Sequence, residues 1–63
     1  MHLDNTSAGL GSWIKDSWRH DRSLGFVRQI DKHTGMMYVQ YPKLGKSVWL
    51  RWKNDGHYRV INN

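Results

Sequence analysis

The chain has no cysteine, no glutamate and a single proline. Without cysteine there is no disulfide staple and no thiolate metal site, which fits a reducing, cytoplasmic setting. His2, His20, His33 and His57 lack a spacing such as His-x-x-x-His. With no glutamate or cysteine to help them, a zinc site would have to be assembled from histidines and aspartates in distant loops. No nucleophile elbow and no phosphate-cradling glycine loop accompanies the serines and threonines. The expectation is a non-enzyme with no metal and no cofactor. The longest apolar run falls far short of the ~20 residues that a spanning helix needs. Met1 to Gly11 has neither the basic start nor the apolar stretch of a signal peptide, so a soluble, cytoplasmic protein without a membrane partner is expected. A chain of 63 residues makes one domain that buries only about 60% of its unfolded surface, with roughly 3–5 kcal/mol to be had from its core.

What the chain does have is rings and cations together. Four tryptophans, three tyrosines and one phenylalanine are interleaved with ten lysines and arginines. Up to Ser23, Lys15, Arg19 and Arg22 are matched by Asp4, Asp16 and Asp21. From Leu24 onward seven basic residues face only Asp31 and Asp55, so the whole net charge of +5 lies in that part. A concentrated positive field attracts nucleic acid or an acidic protein surface. The plainer alternative is solubility, for which a charge of this size is ordinary.

Met1 to Gly11 is small and polar and reads as a flexible arm (residues 1–11), leaving residues 12–63 for the folded domain. Trp13-Ile14 starts a first strand, and Lys15 to Ser23 reads as a charged loop. Leu24 to Asp31 is a second strand, and Lys32-His33-Thr34-Gly35 is a tight turn whose glycine can take the positive φ required. Met36 to Tyr41 is a third strand, stopped at Pro42. Ser47 to Trp52 is a fourth, and Lys53-Asn54-Asp55-Gly56 carries a strong hairpin signal before a fifth at His57 to Ile61. Five short strands with regular turns predict an all-β fold, a small five-stranded antiparallel barrel that closes on itself.

Gly25-Phe26-Val27-Arg28-Gln29-Ile30-Asp31, a glycine-containing turn, Tyr38-Val39-Gln40-Tyr41-Pro42 and an aromatic fourth strand together resemble the middle hairpin of SH3-like barrels of the Tudor and KOW kind. The resemblance runs from about Ser12 to Ile61. The Asn54-Asp55-Gly56 turn departs from it, since many such barrels have a short 3₁₀ turn before the last strand. The resemblance implies an SH3-like barrel that binds nucleic acid, a ribosomal or transcription partner, or a methylated peptide.

Strand alternation assigns the faces. Met37, Val39 and Tyr41 of the third strand, Val48, Leu50 and Trp52 of the fourth, and Tyr58 and Val60 of the fifth point inward. In the second strand Val27 and Ile30 are both apolar but three apart, so a β-bulge between them is expected. That leaves Phe26, Arg28, Tyr38, Gln40, Trp49, Arg51, His57 and Arg59 outward. Rings beside cations are how single-strand binders work, with bases stacking on aromatics while cations track phosphates. The candidate site is Trp18, Phe26, Arg28, Tyr38, Trp49, Arg51 and Arg59. Its partner is nucleic acid, with single-stranded DNA or RNA favoured, or else the acidic surface of a protein. Trp18, set among charges, reads either as a lid over one end of the barrel or as an anchor at an interface. Trp18, Tyr38, Tyr41 and Trp49 are also the rings available for an aromatic cage around a methylated residue.

Overall fold

The computed structural model describes residues 6–17 and 23–61. Five strands make up the fold: β1 (Trp13–Asp16), β2 (Leu24–Asp31), β3 (Met36–Tyr41), β4 (Lys46–Arg51) and β5 (Tyr58–Val60). No helix occurs among the described residues. The strands form one antiparallel sheet in the order β4-β3-β2-β1-β5.

Period-two patterning explains these elements. In β3 the residues alternate between half-buried and buried, with Met37, Val39 and Tyr41 all fully inside. The β2–β3 turn is held by the Asp31 carboxylate, which accepts the backbone N–H groups of His33 at 3.0 Å and Thr34 at 3.3 Å. Gly35 and Gly56 have the positive φ expected of them, 76° and 107°.

The bulge in β2 is present. Val27 faces Val39, yet Gln29 already faces Tyr38, so Arg28 is the extra residue. This shift brings Val27 and Ile30 to the same side; Val27 is fully buried and Ile30 packs against the core. It also divides the labour of the strand, whose first half pairs with β1 through Trp13↔Phe26, Ile14↔Gly25 and Lys15↔Leu24, while its length from Phe26 onward pairs with β3. Gly25 lies where the backbone passes closest to the core. A Cβ there would sit 2.9 Å from Cε2 of Tyr41 and closer still to Cγ1 of Val39, so no side chain fits.

Ala8, Ile14, Val27, Met37, Val39, Tyr41 and Tyr58 form the buried core. Val48, Leu50, Trp52 and Val60, also expected inside, pack against it but are only partly buried. The reason is their place: β4 and β5 are the two ends of the strand order and lack a neighbour on one side.

Three expectations are corrected. The sheet does not close, because β4 and β5 do not pair. Nor is Asn54-Asp55-Gly56 the tip of a hairpin between them; it belongs to a crossing segment that leads from one sheet edge to the other. One long-range and one local side-chain bond hold that segment: the Asn54 carboxamide Nδ2 donates to the Thr6 carbonyl at 2.8 Å and its Oδ1 accepts the Gly56 N–H at 2.9 Å. Secondly, residues 1–5 of the expected arm lie outside the described residues, and residues 6–11 are seated on the domain. Ala8 is buried, its N–H donates to the Tyr58 hydroxyl at 2.9 Å, and its carbonyl accepts from Trp52 Nε1 at 2.8 Å. A small residue is what lets the chain approach two large rings this closely. Thirdly, Lys15 and Asp16 belong to β1 rather than to a loop. Asp16 is wholly buried and accepts the Tyr41 hydroxyl at 2.6 Å, which ties an acid on β1 to a core ring on β3.

Candidate functional site

The outer face of the sheet follows from the register. Trp13 lies beside Phe26, Phe26 beside Gln40, and Gln40 beside Ser47. Two residues further along β3, Tyr38 stands between Gln29 and Trp49. The rings meet as cross-strand pairs: Trp13 and Phe26 have centroids 5.0 Å apart at 59°, and Tyr38 and Trp49 have centroids 5.0 Å apart at 46°. Tilted pairs of this kind contribute about 0.5–1.5 kcal/mol beyond their buried area. They also fix each ring in place, so that Trp49, 46% exposed, and Trp13, 38% exposed, present preformed apolar surface to solvent.

Between the two ring pairs sits the bulge residue. Arg28 is exposed, and its guanidinium donates to Gln40 Oε1 at 2.9 Å. Arg28, Gln29, Tyr38, Gln40 and Ser47 line a shallow depression of about 340 Å³, with no carboxylate among the described residues that line it. The structure thus brings Phe26, Arg28, Tyr38 and Trp49 onto one face.

The other predicted site residues are placed differently. Arg51 follows Trp49 on β4, but its guanidinium is held by Asp55 at 2.6 Å. Asp55 also meets His57 Nδ1 at 2.7 Å, and His57 Nε2 lies 3.0 Å from the Arg51 carbonyl oxygen. The His57 hydrogen bond, with the Arg51 charge adding to it, holds the Asp55 carboxyl below its ordinary value of 3.8. Arg59 sits opposite Lys15 on the β1–β5 side, and both line a separate depression of about 280 Å³ with Asp16 and Ser17. Trp18 lies outside the described residues. Tyr41 is fully buried, which removes it from any cage of rings around a methylated residue. Trp13 belongs to the face although it was not among the expected site residues; alternation against its fully buried neighbour Ile14 is the signal that could have found it.

A third, more apolar depression of about 600 Å³ lies between residues 8–10 and the β2–β3 hairpin, lined by Ala8, Gly9, Leu10, Ile30, Lys32 and Trp52. Leu10 is 69% exposed there, and Lys32 Nζ stands 5.5 Å from the centre of the Trp52 ring. No group of three or more metal-ligating side chains occurs among the described residues. No helix of the described residues is long and apolar enough to cross a membrane. Compared with known proteins, the chain matches no family model, no curated sequence and no solved structure.

Proposed function

We propose that this protein is a small, basic binding module of SH3-like character, without enzymatic activity, that holds single-stranded nucleic acid on the outer face of its sheet. The observation that carries the reading is the pair of tilted ring stacks, Trp13 with Phe26 and Tyr38 with Trp49, flanking the Arg28–Gln40 hydrogen bond. Bases stack on rings for about 1–3 kcal/mol each whatever their sequence. The net charge of +5 supplies the attraction for phosphates, with Arg28 central and Arg51 and Arg59 on the flanks. The SH3-like character rests on five short antiparallel strands and the bulged second strand.

The test is a titration of labelled oligonucleotides at several salt concentrations. Single strands should bind at ~100 mM salt and lose affinity linearly on a log–log plot as salt rises. Absence of binding there removes this reading in favour of the second one, a protein partner. That alternative is favoured by the exposed Leu10 and the apolar depression over Trp52. A pull-down from lysate with and without nuclease separates the two, because only a nucleic-acid ligand is lost to nuclease.

A further inference from the structure

We infer that the depression at the β2 bulge is a base-reading subsite that selects guanine in a single strand, an inference that rests on the nucleic-acid reading above. The bulge sets Arg28 apart from the ladder, since neither Val39 nor Tyr38 opposes it. Its side chain does not sweep freely, because Gln40 Oε1 accepts from one guanidinium nitrogen at 2.9 Å. A guanidinium carries five N–H donors in a rigid fork, and one such bond orients the fork while leaving others to give. The same bond changes what Gln40 offers. With its oxygen turned to Arg28, the carboxamide presents its NH₂ donors. The two residues nearest the bulge therefore act together as a donor array, and no carboxylate among the described residues lines the depression to compete for it.

Among the bases, guanine has two adjacent acceptors, O6 and N7, on one edge, and a bidentate arginine is their usual partner. Adenine offers an acceptor beside a donor and is matched by a side-chain amide with its oxygen available. Gln40 has given its oxygen to Arg28, so that match is lost at this position. In single strands this edge of the base is open to reading, and an aromatic side chain can support the base plane. Tyr38 is the ring in the lining, braced from behind by Trp49. The volume of about 340 Å³ falls within the range of small-molecule sites. A phosphate would use the charge of Arg28 but neither the fork nor the ring.

The experiment is fluorescence anisotropy with the full chain and four labelled strands of about ten nucleotides. One is thymidine only; the others carry a single central deoxyadenosine, deoxyguanosine or 7-deazadeoxyguanosine, the last lacking the N7 acceptor. The guanine strand should bind about tenfold more tightly than the thymidine and adenine strands, and the 7-deaza strand should lose most of that advantage. Arg28→Lys keeps the charge but not the fork. It should bring the guanine strand down to the level at which the same variant binds the thymidine strand. Arg28 is exposed, and far-UV circular dichroism establishes that the variant is folded.

If thymidine, adenine and guanine strands bind the parent equally, the subsite is refuted while the stacking face stands. If a guanine preference survives Arg28→Lys, the assignment to Arg28 is overturned. If no strand binds, the nucleic-acid reading itself falls and this inference falls with it.

Discussion

Replacing Gly25 with alanine tests whether the fold depends on a close backbone approach at the start of β2. In a strand, glycine to alanine ordinarily stabilises by about 0.4–1 kcal/mol, because the unfolded chain loses freedom. Here the sign should reverse. The added Cβ would meet Tyr41 at 2.9 Å and 3.0 Å and would press harder on Val39 Cγ1. Neither neighbour can yield easily, since both are fully buried and the Tyr41 hydroxyl is bound to Asp16 at 2.6 Å. Overpacking a tight core costs about 1–3 kcal/mol, and the double clash places this site near the upper end. Set against a core worth only roughly 3–5 kcal/mol, a loss of about 3 kcal/mol would leave the variant with at most about 2 kcal/mol of stability. Urea denaturation followed by tryptophan fluorescence reads the loss directly. Because Val39 supplies the nearest atom, Val39→Ala should relieve part of the clash, so the double variant should be more stable than the two single losses add up to, by at least ~1 kcal/mol. A melting curve for Gly25→Ala within ~0.5 kcal/mol of the parent would refute the close approach.

Tyr58→Phe removes the hydroxyl that donates to the Trp52 carbonyl and accepts from the Ala8 N–H, and should cost about 2 kcal/mol in urea titrations. Burial pushes the Tyr58 phenol above its ordinary value of 10.0; the folded chain keeps a proton that the unfolded chain has shed, so stability should fall as pH rises past about 10, less steeply in Tyr58→Phe. For Asp55 the sign is opposite: its contribution is present above its ordinary value of 3.8 and is lost as pH falls through the lower folded value, so Asp55→Asn should flatten the acid limb of a stability profile slightly. Trp49→Ala should weaken single-strand binding by about 1–3 kcal/mol with little change in salt slope, whereas Arg51→Ala should lower that slope by roughly 0.7. Both titrations are read against circular dichroism of the folded variants, and parent-like binding by both would remove Trp49 and Arg51 from the interface.

The strands that carry the middle of the sheet are legible because each reports itself in two ways. Alternation places Met37, Val39 and Tyr41 on one side, and turn chemistry at Asp31 and Gly35 sets the ends of β2 and β3 at the residues where the structure has them. The bulge was legible for the same reason, as a break in alternation that only an extra residue could mend. Pairing between the sheet's two ends has no local signature, which is why Asn54-Asp55-Gly56 read as a hairpin. An asparagine and a positive-φ glycine serve any tight reversal, and what makes this one a crossing is the long-range bond from Asn54 to Thr6. Ala8 and Asp16 were hidden by composition. A small residue in a polar segment looks dispensable until two rings are found bonded to its backbone, and an acid among charges looks solvated until Tyr41 is found against it. At the site, chain pattern located Phe26, Tyr38 and Trp49 on one face, but not that each would be locked against another ring. That pairing depends on the β1–β2 and β3–β4 registers, which run without a shift through both ring pairs. A one-residue slip would carry Gln40 away from Phe26 and Tyr38 away from Trp49. The bulge acts instead on the β2–β3 pairing, where the extra residue Arg28 lets Val27 and Ile30, three apart in the chain, share the core side. Deleting Arg28 would leave Val27 opposite Val39 and Gln29 opposite Tyr38 in a regular ladder. The deletion variant should therefore stay folded, with both ring pairs and the core facing of Ile30 kept, and should lose the guanine preference while still binding single strands. An unfolded deletion variant by circular dichroism would refute Arg28 as a simple one-residue insertion.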